Sequence, residues 1–250
     1  MGESNRLANS ASMGGLQQSL PRQGCSGLFG LPSGHPEARL LLAAGVLLVA
    51  FAAALPIDAP LAQWIAEHRP PAPVHKMLQF SELFAHGVGI LMIAAVILQL
   101  DPLRRRGVAR VVFVAISSGV AADGIKIALS RIFPPYIPWH TATWTVVSGW
   151  FGGPVEVVRG RYFPSGHMAA AVGLALALTA LYPRGRRLFA ILAFLAGWQR
   201  LDEGAHVASD LFFGAAVGCA VAAVCLYRGP IAAFFRRHET PVRPLARPPR

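Results

Sequence analysis

The chain has 250 residues, of which 54% are hydrophobic and only 14% charged; soluble domains carry about 25% charged residues, so the composition argues against a soluble protein. A formal net charge of +11 would suggest a nucleic-acid partner in a soluble chain. Arginines flanking membrane spans explain it more simply, and no nucleic-acid partner is expected. Three cysteines, Cys25 in a polar stretch and Cys219 and Cys225 inside an apolar run, have the spacing of neither a disulfide frame nor a zinc site. They read as small packing residues.

Residues 1–36 are rich in Gly, Ser, Gln and Asn without periodicity, and are expected to be a disordered cytoplasmic tail rather than a secretory signal. Residues 37–228 read as a membrane domain. Its six apolar segments, near 40–55, 83–100, 108–129, 168–182, 188–198 and 207–227, approach the roughly 20 residues that cross a bilayer. The fourth and fifth reach that length only if Ser165 to His167 and Gln199 to Asp202 are helical too. Polar chemistry then lies at membrane depth, where it is rarely without function. Residues 229–250 form a basic cytoplasmic tail. The expected fold is all-α, a six-helix transmembrane bundle.

Arginines set the orientation. Arg6, Arg22 and Arg39 precede the first span, Arg104, Arg105, Arg106 and Arg110 lie between the second and third, and Arg184, Arg186 and Arg187 lie between the fourth and fifth. Arg228, Arg236, Arg237, Arg243, Arg247 and Arg250 follow the sixth. The positive-inside rule makes that side cytoplasmic, with both termini inside. In the outer loop 56–82, Leu61, Trp64, Ile65 and His68 have the spacing of a short amphipathic helix at the interface, which Pro70, Pro71 and Pro73 then break. His68 and His75 are expected to be exposed loop residues. The loop 131–161 is longer than a connector needs and holds three tryptophans, consistent with a functional segment at headgroup level.

Three polar clusters meet at the outer ends of the spans under this topology. They are Lys126 with Arg131, then Pro164-Ser165-Gly166-His167, then Arg200 with His206 and Asp210. Each charge costs about 2.5–3.5 kcal/mol at a span centre, so their convergence points to a site. A helix beginning near Pro164 turns N–H groups and a positive dipole end towards an anion, and Gly166 allows close approach to the backbone. His167 beside that anion is the nucleophile candidate. His206 and Asp210 are four residues apart, about one turn, so the carboxylate can fix the imidazole tautomer of an acid–base histidine. Lys126 and Arg200 are placed to hold phosphate oxygens. Asp123, one turn before Lys126, reads as its salt-bridge partner, and Asp202 and Glu203 as residues solvating the outer turn.

In these residues the chain resembles the type 2 phosphatidic acid phosphatase superfamily, which includes bacterial lipid phosphatases and vanadium haloperoxidases. The family motifs read lysine-x6-arginine-proline, proline-serine-glycine-histidine, and serine-arginine-x5-histidine-x3-aspartate. The second is matched in full and the third from Arg200 onward. The resemblance implies a phosphatase without metal or other cofactor, in which His167 attacks phosphorus and His206, supported by Asp210, protonates the leaving oxygen and then activates water. It implies phosphate binding by Lys126, Ser165, Gly166 and Arg200. The expected substrate is a lipid phosphate or diphosphate of the outer leaflet, reached from the bilayer. The expected location is a bacterial inner membrane with the site facing the periplasm.

Two positions depart from the pattern. Gln199 stands where the family has serine, and Phe133 stands at the first-motif arginine. On a continuing helix seven residues rotate about 700°, so Phe133 shares the Lys126 face while Arg131 points roughly 140° away. Arg161, three residues before Pro164, is the expected replacement donor, ahead of Arg159 and Arg131. Pro32-Ser33-Gly34-His35 repeats the second motif in the polar tail, without an upstream lysine, and reads as coincidence. Two rival functions are compatible with the sequence. One is a phosphotransferase with an alcohol acceptor, and the other is a non-catalytic phospholipid-binding protein with a degraded site. A haloperoxidase suits a small membrane-buried chain less well than an enzyme for an amphiphile.

Overall fold

Apolar runs punctuated by Pro, Gly and Arg fold as helices, and the computed structural model describes them over residues 35–132, 143–146 and 163–239. In chain order the elements are α1 (Pro36–Ala54), α2 (Asp58–Glu67), α3 (Ala72–Ser81), α4 (Gly87–Leu100), α5 (Val108–Ala128), β1 (Leu129–Ile132), β2 (Thr143–Val146), α6 (Gly166–Leu181), α7 (Arg186–Asp202), α8 (Ala208–Tyr227) and α9 (Gly229–Glu239). Among the described residues the fold is all-α apart from one short antiparallel pair, in which Leu129 pairs with Val146 and Ile132 with Thr143. That pair lies in the long loop and was not expected.

Among the described residues, three helical stretches are long and apolar enough to cross a bilayer: Pro36–Glu67, Arg105–Ala128 and Ala208–Tyr227. Ala72–Phe84 with Gly87–Leu100 makes a fourth, bent by 69° at the break. With the 16-residue α6 and 17-residue α7, the principal helices match the six expected. The bend follows from capping, because the His86 ring accepts from the Val88 amide at 3.3 Å and starts α4 afresh. Large apolar side chains face outward on the outer helices, among them Val49, Leu91, Val120 and Phe194. So many exposed apolar side chains suit lipid rather than water.

One expectation changes. Pro71 and Pro73 do not merely end α2. Pro71 is the N-cap of α3 and Pro73 stands in its first turn, where a missing N–H costs nothing. The beginning of the basic tail is helical: α9 follows α8 after a break at Arg228 and Gly229 and buries Ala232. The tail 1–34, with the repeated Pro32-Ser33-Gly34-His35 motif up to Gly34, lies outside the described residues.

The centre of the bundle is α6, packed against α5, α7 and α8, while α1 runs along α8. Small residues make this possible. Ala169, Ala171, Gly173 and Ala177 of α6 and Ala215, Cys219 and Ala222 of α8 are buried. Without a hydrophobic force between helices in lipid, close backbone approach supplies the packing energy. Cys219 and Cys225 are buried free thiols, as expected of packing residues. Between α8 and the start of α6 the closest approach is at Gly214, where a Cβ would stand 2.5 Å from the Ser165 carbonyl oxygen.

The arginine-rich helix ends gather at the end opposite Lys126 and His167. Arg104 bonds Asp101 at 2.9 Å and lies 4.7 Å over the Tyr182 ring, whose hydroxyl donates to Asp101 at 3.1 Å. The hydrogen bond from Arg104 lowers the Asp101 carboxyl below its ordinary pKa. Arg110 pairs with Glu239 and so ties α9 back to α5.

The packing at Gly214 has a measurable consequence. Gly214→Ala is expected to lower stability in detergent by about 1–3 kcal/mol, the usual range for overpacking. Gly45→Ala, with nothing within 4 Å of its Cβ, should stabilise by about 0.5–1 kcal/mol through helix propensity. Thermal unfolding of the purified protein followed by intrinsic fluorescence checks both; equal effects would contradict the close approach.

Candidate active site

The segment entering α6 is fixed by aromatic packing and by one backbone bond. The buried Phe163 ring lies 5.7 Å from Phe51 and 4.8 Å from Phe213. The Ser165 amide donates to the Asp210 carbonyl at 3.3 Å, joining the start of α6 to the start of α8. Ser165 is fully buried and its hydroxyl caps α6 by accepting from the Met168 amide at 3.3 Å. Gly166 and His167 therefore occupy the first turn, where N–H groups and the helix dipole face outward. A Cβ on Gly166 would stand 3.1 Å from Asp123 Oδ1. Asp123 in turn pairs with Lys126 at 3.1 Å, the salt bridge expected from their spacing. Lys126 thus reaches the rim of the α6 N-terminus through Asp123.

The other groups arrive from the end of α7 and the start of α8. Arg200 is nearly buried, its side chain 11% exposed. Its Nε donates to Gln199 Oε1 at 2.8 Å, and its other edge pairs with Glu203. Gln199, the departure from serine, is buried and supplies an acceptor that holds the guanidinium. His206 is buried, and its Nδ1 faces Asp210 Oδ2 at 3.3 Å. The same carboxylate oxygen accepts from the Val207 amide at 3.4 Å, which sets the ring's support at the first turn of α8.

Sequence reasoning missed four contributors, all before α5. Glu82 lies in the 3-10 turn Glu82–Phe84. Its Oε1 stands 3.4 Å from Arg200 Nη1 and 3.6 Å from His167 Nε2. His86 presents its ring 6.5 Å from that of His167. Buried Asp58, at the start of α2, accepts from the Ser209 amide at 3.0 Å and from its hydroxyl at 2.5 Å, and so caps α8 beside Asp210. The available signal was an acidic residue directly after an apolar span, which burial would make costly unless paired.

The fourth contributor corrects two expectations. His75 is not a free loop residue and Asp202 does not solvate the outer turn. Asp202 is buried and pairs with His75 Nδ1, tying α3 to α7. His75 Nε2 lies 3.3 Å from Gln79 Nε2. Glu203 likewise bonds Arg200 instead of only meeting solvent. His68 is exposed as expected and stacks on Trp64 at 4.9 Å. Phe133, Arg159 and Arg161 lie outside the described residues, as does the side chain of Arg131.

Seven of the eight expected site residues are thus placed at one end of the bundle, on α5, α6, α7 and α8 and the connections between them. The model of the PAP2 superfamily matches residues 107–231, half of the chain, from the start of α5 into α9. No curated protein and no solved structure matches the chain significantly.

The His75–Asp202 pair is open to a direct test. His75→Ala leaves a buried carboxylate without its partner and should cost about 1–3 kcal/mol. Asp202→Asn combined with His75→Ala should recover part of that loss, a coupling above about 1 kcal/mol in a double-mutant cycle. A coupling near zero in thermal unfolding would show that the pair does not hold α3 to α7.

Proposed function

We propose, from the premise that the chain belongs to the PAP2 superfamily, whose members are generally phosphatases, that it hydrolyses a lipid phosphate or diphosphate through a phosphohistidine on His167. One observation carries this reading beyond the family. The space between His167 Nε2 and Arg200 already holds a carboxylate oxygen at 3.6 and 3.4 Å, so it has the size and charge for an oxyanion. A nucleophile candidate and a guanidinium aimed at one oxyanion are what phosphoryl transfer requires.

In the proposed reaction the His167 Nε2 lone pair attacks phosphorus. The bond to the lipid oxygen breaks, and that oxygen takes a proton from His206. A water then attacks the phosphohistidine, gives its proton to His206, and the P–N bond returns its electrons to His167. Asp210 stabilises the charged His206 ring from Nδ1, which makes Nε2 the nitrogen that exchanges the proton. Arg200, Lys126 and the first-turn amides of α6 stabilise the charge on the phosphoryl oxygens, with Ser165 and Gly166 shaping that turn. Arg161 is proposed to replace the donor lost at Phe133, since one charged hydrogen bond is worth about 1.5–3 kcal/mol.

An amphiphilic substrate is supported by the apolar exterior and by spans that bring the site to one end of the bundle. The opposite, arginine-rich end supports cytoplasmic termini and a site facing the periplasm of a bacterial inner membrane. Transfer to an alcohol instead of water uses the same first half-reaction, and acceptor-dependent product formation would reveal it.

The test is phosphate release by the purified protein in detergent from a panel of lipid phosphates and diphosphates. His167→Ala and His206→Ala should each lower turnover by more than 100-fold, and Arg161→Ala by more than tenfold, consistent with typical losses of a nucleophile, an acid–base group and an oxyanion donor. Activity should persist in excess chelator and fall with vanadate. A His167→Ala protein of near wild-type rate, or activity that chelation removes and magnesium restores, would end this mechanism.

A further inference from the structure

Glu82 touches both His167 and Arg200, yet it lies outside residues 107–231, the segment the superfamily model covers. Its position is built by the fold. The following turn closes on it, with the Ala85 and His86 amides donating to the Glu82 carbonyl at 2.9 and 3.0 Å. Leu78 before it and Phe84 after it are buried, and the Ser81 hydroxyl donates to the Leu78 carbonyl at 2.6 Å. The pairing of His75 with Asp202 holds α3 against the same end of α7 that carries Arg200. The carboxylate is one-third exposed, 33%, so it can move to solvent without leaving an unpaired buried charge.

A carboxylate so placed and a phosphate cannot both take the guanidinium edge and the face of His167 Nε2. Like charges at that distance repel, and the partly buried setting screens them less than open water does. We propose that Glu82 is an internal competitor for the phosphate position. It holds Arg200 and His167 between turnovers, yields to the incoming phosphate, and on returning helps to expel the inorganic phosphate product. The inference rests on reading this site as the phosphate site. It assigns to Glu82 a role in affinity and product release and leaves the chemical step to His167 and His206. Arg200 keeps Glu203 and Gln199 as partners throughout, so it stays positioned when Glu82 withdraws.

The experiment uses the full chain purified in detergent, with orthovanadate as the probe in isothermal titration and inorganic phosphate as a product inhibitor in the turnover assay. Glu82→Gln keeps the volume and removes the charge; it should bind vanadate at least tenfold more tightly and lower the inhibition constant of phosphate by a similar factor. Glu82→Asp, with its carboxylate drawn back by one methylene, should fall between. A purely structural role for Glu82 would weaken both constants, the opposite sign. Unchanged or weaker vanadate binding in Glu82→Gln and Glu82→Asp, or binding by no variant, overturns the proposal. Should hydrolysis remain dependent on His167 while vanadate affinity ignores Glu82, this inference fails and the phosphatase reading stands.

Discussion

The hydrogen bond from the Ser165 amide to the Asp210 carbonyl, 3.3 Å long, joins two helix starts that are far apart in the chain and sets everything else at this end of the bundle. It requires α6 and α8 to meet at backbone distance, which Gly214 permits and the packing of buried Phe163 against half-buried Phe51 and Phe213 maintains. With those starts joined, His167 in the first turn of α6 and His206 just before α8 belong to one site. Arg200 then needs only the end of α7 to reach it. A bundle of small-residue contacts in lipid gains little from apolar burial, so polar bonds at helix ends carry unusual weight in fixing register.

The same end concentrates ionisable groups that the lipid-facing surface could not tolerate. They are paired in a chain: Lys126 with Asp123, Arg200 with Glu203 and Glu82, His75 with Asp202, and His206 with Asp210. Asp58 extends the pattern by capping α8 through Ser209. Pairing lowers the cost of keeping charge near membrane depth. It also leaves the site pre-organised, because Gln199, Glu203 and Asp210 hold Arg200 and His206 through atoms other than those proposed to meet the substrate.

How much of this was legible in the sequence divides by the range of the contact. The spans, the helix start near Pro164, the Asp123–Lys126 pair and the His206–Asp210 pair depend on spacing within one helix or one turn, and composition and periodicity disclose such features. The pairing of His75 with Asp202, 127 residues away, and of Asp58 with Ser209, 151 residues away, depends on how helices are placed side by side. No local pattern encodes that. The prolines at 70, 71 and 73 read as breakers in the sequence because a breaker and a helix start share the same residues. Only the burial of Leu78 and the contact with α7 decide in favour of α3. Glu82 escaped for a related reason, since its importance lies in a carboxylate that reaches across to α6 and α7.

The central claim is a covalent phosphoryl group on His167, and trapping it is the most direct measurement. An aryl phosphate has a leaving group that needs little help from an acid, so His206→Ala should still accept its phosphoryl group while failing to activate water. Quenching that variant in alkali and mapping the adduct by mass spectrometry should find an acid-labile phosphate on residue 167, absent when His167→Ala is added. A phosphoryl group on any other residue, or phosphate release from His206→Ala and His167→Ala together at the wild-type rate, would contradict the mechanism.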